Sequence, residues 1–198
     1  LARIAHTSPK SHPELFPTRD DALAFWINAY NALALQAVVD AYPTQSVTEV
    51  LPDWGFFNRL EYQVGGTAMT LDDIEKGDLL REWSEVPEVH WALTCASMGC
   101  PRLDRSAWQA EGIRARLHQE GVTYLNSDAG ARIDPASGTV VLTRYFEWYA
   151  DDFGGDALAY IRPFLTDERR AMLDAIASST VVYLDYDWRL NDRITARR

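Results

Sequence analysis

The sequence is poor in cysteine, with only Cys95 and Cys100 among 198 residues. Two cysteines are too few for the disulfide framework of a small secreted domain, and they lack the four-ligand pattern of a structural zinc site. His90 could add a third ligand, but a fourth would have to come from a distant element. We therefore expect neither a metal nor a cofactor.

Basic residues are also scarce. The chain has 19 Lys and Arg against 29 Asp and Glu, which gives a formal net charge of −10. A field of this sign repels phosphate backbones and anionic lipid headgroups, so nucleic acid is a poor partner. The one basic cluster is Arg193, Arg197 and Arg198, which we expect to lie in solvent at the end of the chain.

We expect no membrane span, because we find no apolar run approaching the roughly 20 residues needed to cross a bilayer, and no leader in which charged residues precede an apolar run. The sequence therefore predicts a soluble protein without membrane insertion. The chain starts at Leu1 instead of Met, so we expect that any leader has been removed and is not visible here.

Hydrophobic residues make up 47% of the sequence and charged residues 24%, which is typical of a globular domain with a packed core. Residues 1–20 contain three prolines and no sustained periodicity, which predicts an N-terminal arm. Residues 21–198 show no linker, repeat or change of composition. We therefore predict a single globular domain after the arm.

A central helix is the clearest predicted element, because residues 20–41 are apolar at helical spacing up to Pro43. Helices and strands then alternate without a repeated unit. We predict a hairpin around Gly65-Gly66, helices over 71–83, 106–119, 157–164 and 168–177, and strands over 88–95, 140–145 and 181–188. This order predicts an α+β fold, with a central hydrophobic helix packed on a small, mostly antiparallel sheet and further helices around it.

His90 and Cys95 are the residues that suggest catalysis, because an imidazole can lower the pKa of a thiol and make it a nucleophile. On a straight strand, residues five positions apart face opposite sides, so a direct pair requires Cys95 to lie beyond the strand end. A buried structural cysteine beside a core histidine explains the same residues. A local disulfide between Cys95 and Cys100 is a third interpretation, and it would remove the nucleophile.

Asn28 and Asn31 lie three residues apart on one face of the central helix. A buried amide needs partners, so we expect both to be buried and hydrogen-bonded, either to loop backbone or as an orienting group in a catalytic pocket. Near the end of the chain, Asp185 and Asp187 would share one face of the last strand. Asp187 could orient the histidine, although an Asp at such a place more often bonds a neighbouring loop.

A pocket for a ligand would draw on aromatic residues, which form 12% of the chain. We expect Trp26, Trp91 and Tyr145 to line it, because such rings supply apolar area and a polar handle. If Cys95 is not catalytic, His90 would form a polar ligand-binding cluster with Glu75 or Asn28. Asn31 is a further candidate ligand-binding residue. The ligand would be a peptide, a glycan or a small molecule.

Five blocks of sequence carry a resemblance to a known family. They are FWINAYNAL (25–33), LDDIEKGDLL (71–80), VHWALTCASMGCP (89–101), FEWYADDF (146–153) and YDWRLN (186–191). In this order they are similar to the domain-of-unknown-function family 547. Lys76 stands where that family usually has His, and Thr94 where it commonly has Asn. The resemblance implies no activity, but bacterial members are frequently exported, which implies a periplasmic or cell-envelope location.

A more remote likeness is to the papain and transglutaminase superfamily, in which a central helix packs on an antiparallel sheet. In that comparison Asn28 takes the helix position of the nucleophilic cysteine, His90 takes the place of the strand histidine, and Cys95 is displaced. The likeness implies either that Cys95 has taken over as nucleophile or that catalysis is lost and the groove is kept.

Two functions follow. The first is a thiol-dependent hydrolase or acyl transferase acting on an amide or ester, with Cys95 as nucleophile, His90 as base, and Asn28 or Asp187 as the orienting group. The second is a non-catalytic module that binds a peptide or glycan and holds a Cys95–Cys100 disulfide. The redox state of Cys95 and Cys100 distinguishes the two functions, because only the first requires a free thiol.

Overall fold

The computed structural model describes residues 1–192, and the predicted basic tail at Arg193, Arg197 and Arg198 lies outside them. The chain has the predicted α+β class, with short sheets of two and three strands. It divides into two compact units. The first contains Leu1–Arg114 together with the chain from Asp187 onward, and the second contains Ala115–Tyr186.

The first unit is built on helix α2, Arg19–Ala41, which follows the short helix α1, Ala2–His6. Thr18 caps α2. The Thr18 hydroxyl accepts a hydrogen bond from the Asp21 N–H at 3.1 Å, while the Asp21 carboxylate accepts one from the Thr18 N–H at 3.0 Å. Ten residues of α2 are buried, so this helix supplies much of the core.

By length and composition alone, α2 is apolar enough to cross a membrane, with a mean hydropathy of 1.4 over its most apolar 18 residues. Our expectation that no such run exists was therefore wrong. Of that window, 56% is buried inside the structure, as in the core helix of a soluble protein. Because core helices and signal sequences both meet this criterion, it is weak support for a membrane span.

The N-terminal arm is folded against the predicted hairpin. Strands β1, Tyr62–Val64, and β2, Thr67–Met69, pair antiparallel on either side of Gly65-Gly66. The N–H groups of these two glycines donate to the carbonyl oxygens of Ile4 at 2.8 Å and Ala5 at 2.7 Å. The free carbonyl groups at the end of α1 thus find partners in the hairpin turn.

An ion pair fixes the middle of the arm. The Lys10 ammonium bonds to the carboxylate of Asp78, whose side chain is only 2% exposed, and lies 5.6 Å from the centre of the Trp26 ring. A buried carboxylate is costly without a cation beside it. The arm therefore belongs to the folded structure of the first unit.

The chain between the hairpin and the cysteines is helical, but not uniformly so. The Asp73 N–H donates to the Thr70 hydroxyl at 3.1 Å, at the start of a π-helix, Asp73–Leu79. This helix continues as the single turn α4, Leu80–Glu82, and a 3₁₀ helix covers Pro87–Trp91. The predicted strand over 88–95 was therefore wrong. Pro87 starts the 3₁₀ turn, and the segment resembles a strand because all of its faces are buried.

Three further short helices complete the regular structure described in the first unit. They are α3, Gly55–Asn58, and the 3₁₀ helices Pro13–Leu15 and Val47–Glu49. A helix was predicted over 106–119, but the helix in the structure, α5, begins later and covers Ile113–Leu125. Gly112 has a φ of +71°, a left-handed conformation that interrupts a helix.

The second unit holds the three-stranded sheet. Strand β3, Ala131–Asp134, pairs antiparallel with β4, Thr139–Leu142, and β4 pairs parallel with β5, Thr180–Tyr183. Three short helices accompany the sheet in this unit: α6, Tyr145–Trp148; α7, Ala157–Ile161, which a 3₁₀ turn extends over Arg162–Phe164; and α8, Asp167–Asp174. The last strand ends at Tyr183, so the prediction that it runs to 188 was wrong.

Candidate functional site

Cys95 and Cys100 form a disulfide, with Cα atoms 6.1 Å apart. Both residues are buried, at 8% and 5% exposure. The Cys95 N–H donates to the Cys100 sulfur at 2.8 Å, and the Ser97 hydroxyl lies 2.9 Å from the Cys95 sulfur. A disulfide sulfur is neither a thiol nor a thiolate, so Cys95 has no nucleophile to offer in this form. Of the three interpretations of these cysteines, the structure contains the local disulfide.

His90 lies on the 3₁₀ helix and not on a strand, so the argument from strand alternation does not apply to it. The residue is 1% exposed, and its ring centre is 6.5 Å from that of Trp91, which is equally buried. A general base must reach a bound substrate. The imidazole lies instead within the interior of the first unit.

Asn31 is buried and hydrogen-bonded, as predicted. Its side-chain N–H donates to the carbonyl oxygen of Ala92 at 2.8 Å, and its side-chain oxygen accepts from the N–H of Thr94 at 2.8 Å. One amide therefore satisfies two backbone groups in the segment that leads into the disulfide. This geometry favours the interpretation in which Asn31 fixes loop backbone.

Asn28 does the same for another segment. Its side-chain oxygen accepts from the N–H of Trp108 at 2.8 Å, and its side-chain N–H donates to the carbonyl oxygen of Trp108 at 2.9 Å. The residue is half-buried and hydrogen-bonded. Because both polar atoms are bonded to backbone, an orienting role toward His90 would require these bonds to be exchanged.

Asp187 follows the end of β5 and belongs to the first unit. Its carboxylate accepts from the Arg189 side chain, with Nε 2.9 Å from Oδ1. This bond lowers the pKa of Asp187 below its ordinary value. Since Asp187 does not lie on a strand, the prediction that it shares a strand face with Asp185 was wrong.

The predicted ligand-binding residues occupy two different units. Trp26, Trp91 and Glu75 are buried in the first unit, at 1%, 1% and 8% exposure. Tyr145 is buried in the second unit, in a cluster of aromatic rings. The other members of that cluster are Tyr124, Trp148, Tyr149 and Tyr186.

Two cavities of the described chain lie elsewhere. One of about 780 Å³ in the first unit is lined by three carboxylates, Tyr62 and other residues, and one of about 330 Å³ in the second unit is lined mostly by residues of apolar type. None of the predicted site residues lines either cavity. Burial and the charge of Asp40 raise the pKa of Tyr62.

The disulfide loop, residues 95–100, holds the C-terminal segment, residues 187–191. The N–H groups of Met98 and Gly99 donate to the carbonyl oxygens of Arg189 and Asp187 at 2.8 and 3.0 Å. In return, the N–H of Asn191 donates to the carbonyl oxygen of Ala96 at 2.8 Å. The segment is thus bonded to the disulfide loop at three points.

The other edge of this segment is bonded to residues 45 and 46. The Leu190 N–H donates to the Gln45 carbonyl at 2.7 Å, and the Ser46 hydroxyl donates to the Trp188 carbonyl at 2.8 Å. Leu190 is itself buried, at 2% exposure. The C-terminal segment is therefore a short ribbon between two loops of the first unit.

This ribbon carries one ring of an aromatic surface, formed by Trp54, Phe57 and Trp188. The ring centres of Trp54 and Trp188 are 4.8 Å apart, and those of Phe57 and Trp188 are 6.3 Å apart. Trp54 is 50% exposed. Sequence analysis missed this surface because residues 54 and 188 are far apart along the chain.

Backbone strain supports the view that this display of Trp54 is a built feature. Asp53 and Trp54 have φ angles of +52° and +61°, a region that residues other than glycine rarely adopt. Strained conformations persist where the surrounding structure holds them, and they concentrate at functional sites. The Asp53 carboxylate pairs with Arg59 at 3.1 Å, and the Asn58 side chain donates to the Asp53 carbonyl at 3.1 Å.

The aromatic surface is accompanied along the chain by two ion pairs, Asp53–Arg59 and Asp187–Arg189. Together they offer carboxylate acceptors and guanidinium donors close in sequence to the aromatic rings. Within residues 1–192 there is no group of three or more His, Cys, Asp or Glu side chains that could hold a metal ion. The surface offers aromatic rings for stacking and charged side chains for hydrogen bonding.

Comparison with known proteins places the chain in a family. The family model described as "Protein of unknown function, DUF547" matches residues 15–125, which is more than half of the chain. The protein belongs to this family. No curated protein and no solved structure matches it.

Proposed function

We propose that this protein is a non-catalytic glycan-binding module, in which a neutral sugar stacks on the aromatic surface. The observation that carries the proposal is the half-exposed Trp54 ring, which packs on Trp188 and is held by strained backbone. One face of a pyranose presents C–H groups, and these pack favourably on the electron-rich face of an indole.

The neighbouring ion pairs suit the hydroxyl groups of the same ligand. A carboxylate accepts hydrogen bonds from hydroxyls and a guanidinium donates to them, and charge-assisted bonds of this kind are stronger than neutral ones. Asp53 and Arg59 are close in sequence to Trp54, while Asp187 and Arg189 flank Trp188. The net charge of −10 disfavours an acidic glycan, so we assign a neutral one.

The disulfide argues against a function as a thiol hydrolase in the oxidised protein described here. Catalysis by Cys95 would require both sulfurs to be reduced and the buried His90 to reach a substrate. The remote likeness to papain and transglutaminases has two implications, and this proposal agrees with the second, in which catalysis is lost and the groove is kept. A disulfide between these cysteines also favours an oxidising compartment, and we propose the periplasm or cell envelope.

Binding is tested with neutral oligosaccharides as probes: hexamers of β-1,4-glucose, β-1,3-glucose, α-1,4-glucose and β-1,4-N-acetylglucosamine. Tryptophan fluorescence and calorimetry should detect saturable binding of at least one hexamer. Trp54→Ala and Trp188→Ala should each weaken it at least tenfold, which corresponds to about 1.4 kcal/mol. The matched control is Trp148→Ala, which removes a ring of the second unit with 43% exposure and should leave affinity unchanged.

Three results would contradict the proposal. One is that no hexamer binds, and a second is that Trp54→Ala binds like the wild type. The third comes from thiol titration of the native protein without reductant. Two free thiols, one of them reacting quickly at neutral pH, would return the assignment to a thiol hydrolase with Cys95 as nucleophile. Binding of unstructured peptides, but of no hexamer, would replace the glycan by a peptide.

A further inference from the structure

We infer that Cys95 and Cys100 form a site of reversible thiol–disulfide exchange that controls the aromatic surface. This inference rests on the proposed function, because it concerns the regulation of the same surface. The disulfide closes the loop to which the C-terminal segment is hydrogen-bonded, and that segment carries Trp188. The state of the sulfurs is thereby linked to the position of one ring of the binding surface.

The first step of the argument concerns what the disulfide holds. The two cysteines are separated by five positions, so the bond closes a short loop. Cross-links that close short loops restrict the unfolded chain least, so this bond contributes less to global stability than a long-range disulfide would. Its main effect is local, on the conformation of residues 96–99.

That local conformation is a demanding one. Ala96 has a φ of +61°, which is unfavourable for a residue with a side chain. With Ala96 in this conformation, its carbonyl oxygen accepts from Asn191, and the N–H groups of Met98 and Gly99 donate to the C-terminal segment. Opening the disulfide frees Ala96 to return to an ordinary conformation, and the three bonds to residues 187–191 are then lost together.

The second step concerns the consequence for Trp188. The Trp188 carbonyl accepts a hydrogen bond from Ser46 on one edge of the ribbon. The carbonyl groups of its neighbours, Asp187 and Arg189, accept hydrogen bonds from the disulfide loop on the other edge. Loss of the second set leaves the ribbon attached by one edge. The Trp188 ring then no longer keeps its position 4.8 Å from the Trp54 ring, and the stacking surface is disrupted.

The chemistry is an exchange with a dithiol. A thiolate of the dithiol attacks one sulfur of the disulfide and forms a mixed disulfide, which releases the other cysteine. The second thiol of the reagent then attacks the mixed disulfide and releases the first cysteine. Cys95 and Cys100 gain two electrons and two protons and become thiols, while the dithiol becomes a cyclic or intramolecular disulfide. Because the cysteines are at most 8% exposed, the thiolate must enter where residues of the loop are only half-buried, at Ala96, Met98 or Gly99.

Amide hydrogen exchange tests this switch without any ligand. The full chain is compared in its oxidised form, after complete reduction with dithiothreitol verified by thiol titration, and after reoxidation. We expect peptides that cover 96–99 and 187–191 to exchange at least tenfold faster when reduced and to recover on reoxidation. Peptides of the β1–β2 hairpin serve as the internal control and should not change.

A Cys95→Ser and Cys100→Ser double variant should behave as the reduced protein does and should not respond to dithiothreitol. If this variant does not fold, the reduced and reoxidised wild type still decide the question. Unchanged exchange at 187–191 after complete reduction would overturn the inference, whatever the ligand.

Affinity is then measured in both redox states with the hexamer that binds best. We expect at least a tenfold loss on reduction, whereas equal affinity in the two states would overturn control of binding by the disulfide. Faster exchange on reduction with no hexamer bound in either state would support the structural switch and contradict the glycan-binding proposal. The two proposals can therefore fail separately.

Discussion

Replacing Asn31 by Leu should destabilise the first unit severely, because this amide alone satisfies two buried backbone groups. Leu has a similar volume but neither donates nor accepts a hydrogen bond. The Ala92 carbonyl and the Thr94 N–H, in residues that are 8% and 6% exposed, would lose their partner. Each unsatisfied buried group costs about 1–3 kcal/mol.

The expected loss is therefore about 2–6 kcal/mol in the free energy of unfolding. For a chain of this size, about 1 kcal/mol shifts the melting temperature by roughly 2–4 °C, so the melting temperature should fall by about 4–24 °C. Urea unfolding followed by tryptophan fluorescence measures the change, and calorimetry tests whether the two units unfold together.

The matched control is Gln119→Leu, which removes an amide from an exposed position of α5 and should change stability by no more than about 0.5 kcal/mol. Asn28→Leu should cost less than Asn31→Leu, because Asn28 is half-buried and water can reach its partners more easily. A loss below 0.5 kcal/mol for Asn31→Leu would refute the view that this residue holds loop backbone. Preserved stability with loss of an enzymatic activity would indicate a catalytic role instead.

Two further predictions concern charged groups. Lys10→Met should destabilise the fold by about 2–4 kcal/mol, because it leaves the buried carboxylate of Asp78 without a cation. Arg114→Met breaks an exposed ion pair and should cost less than about 1 kcal/mol. Equal losses of the two variants in urea unfolding would contradict this prediction. Hydrogen bonds from the backbone N–H and the hydroxyl of Thr70 lower the pKa of Asp73, so its contribution to stability is present above the unfolded pKa of about 3.9 and is lost as the pH falls through the lower folded value. Urea midpoints measured from pH 5 to pH 2.5 should therefore fall less steeply for Asp73→Asn than for the wild type, and identical slopes would contradict the assignment.

Sequence reasoning was most successful where local signals agree with the fold. The central helix was predictable because apolar residues recur over six turns up to a proline, and the hairpin because two glycines separate two short apolar runs. The residues at 88–95 were predicted wrongly because a buried 3₁₀ helix and a buried strand produce the same unbroken apolar run. Periodicity carries no information when all faces of a segment are covered.

The site shows the same limit. The disulfide was among the alternatives for Cys95 and Cys100, but spacing alone could not select it. The roles of Asn28 and Asn31 were predictable as a choice between two, since a polar residue on an apolar helix must find partners. The aromatic surface was not predicted, because the packing of Trp54 on Trp188 depends on where the C-terminal segment returns to the fold.

The family match and the folded unit have different boundaries. The match covers 15–125, yet the first unit also includes α1 and the residues around Lys10 before it, and the C-terminal segment after it. A fragment cut at the limits of the match would expose the Gly65 and Gly66 amides, remove the Lys10 ammonium from Asp78, and leave the disulfide loop without the C-terminal segment to which it is hydrogen-bonded. We therefore expect a fragment with the boundaries of the match to be less stable than the full chain, because the compact unit draws on residues from both sides of the matched range.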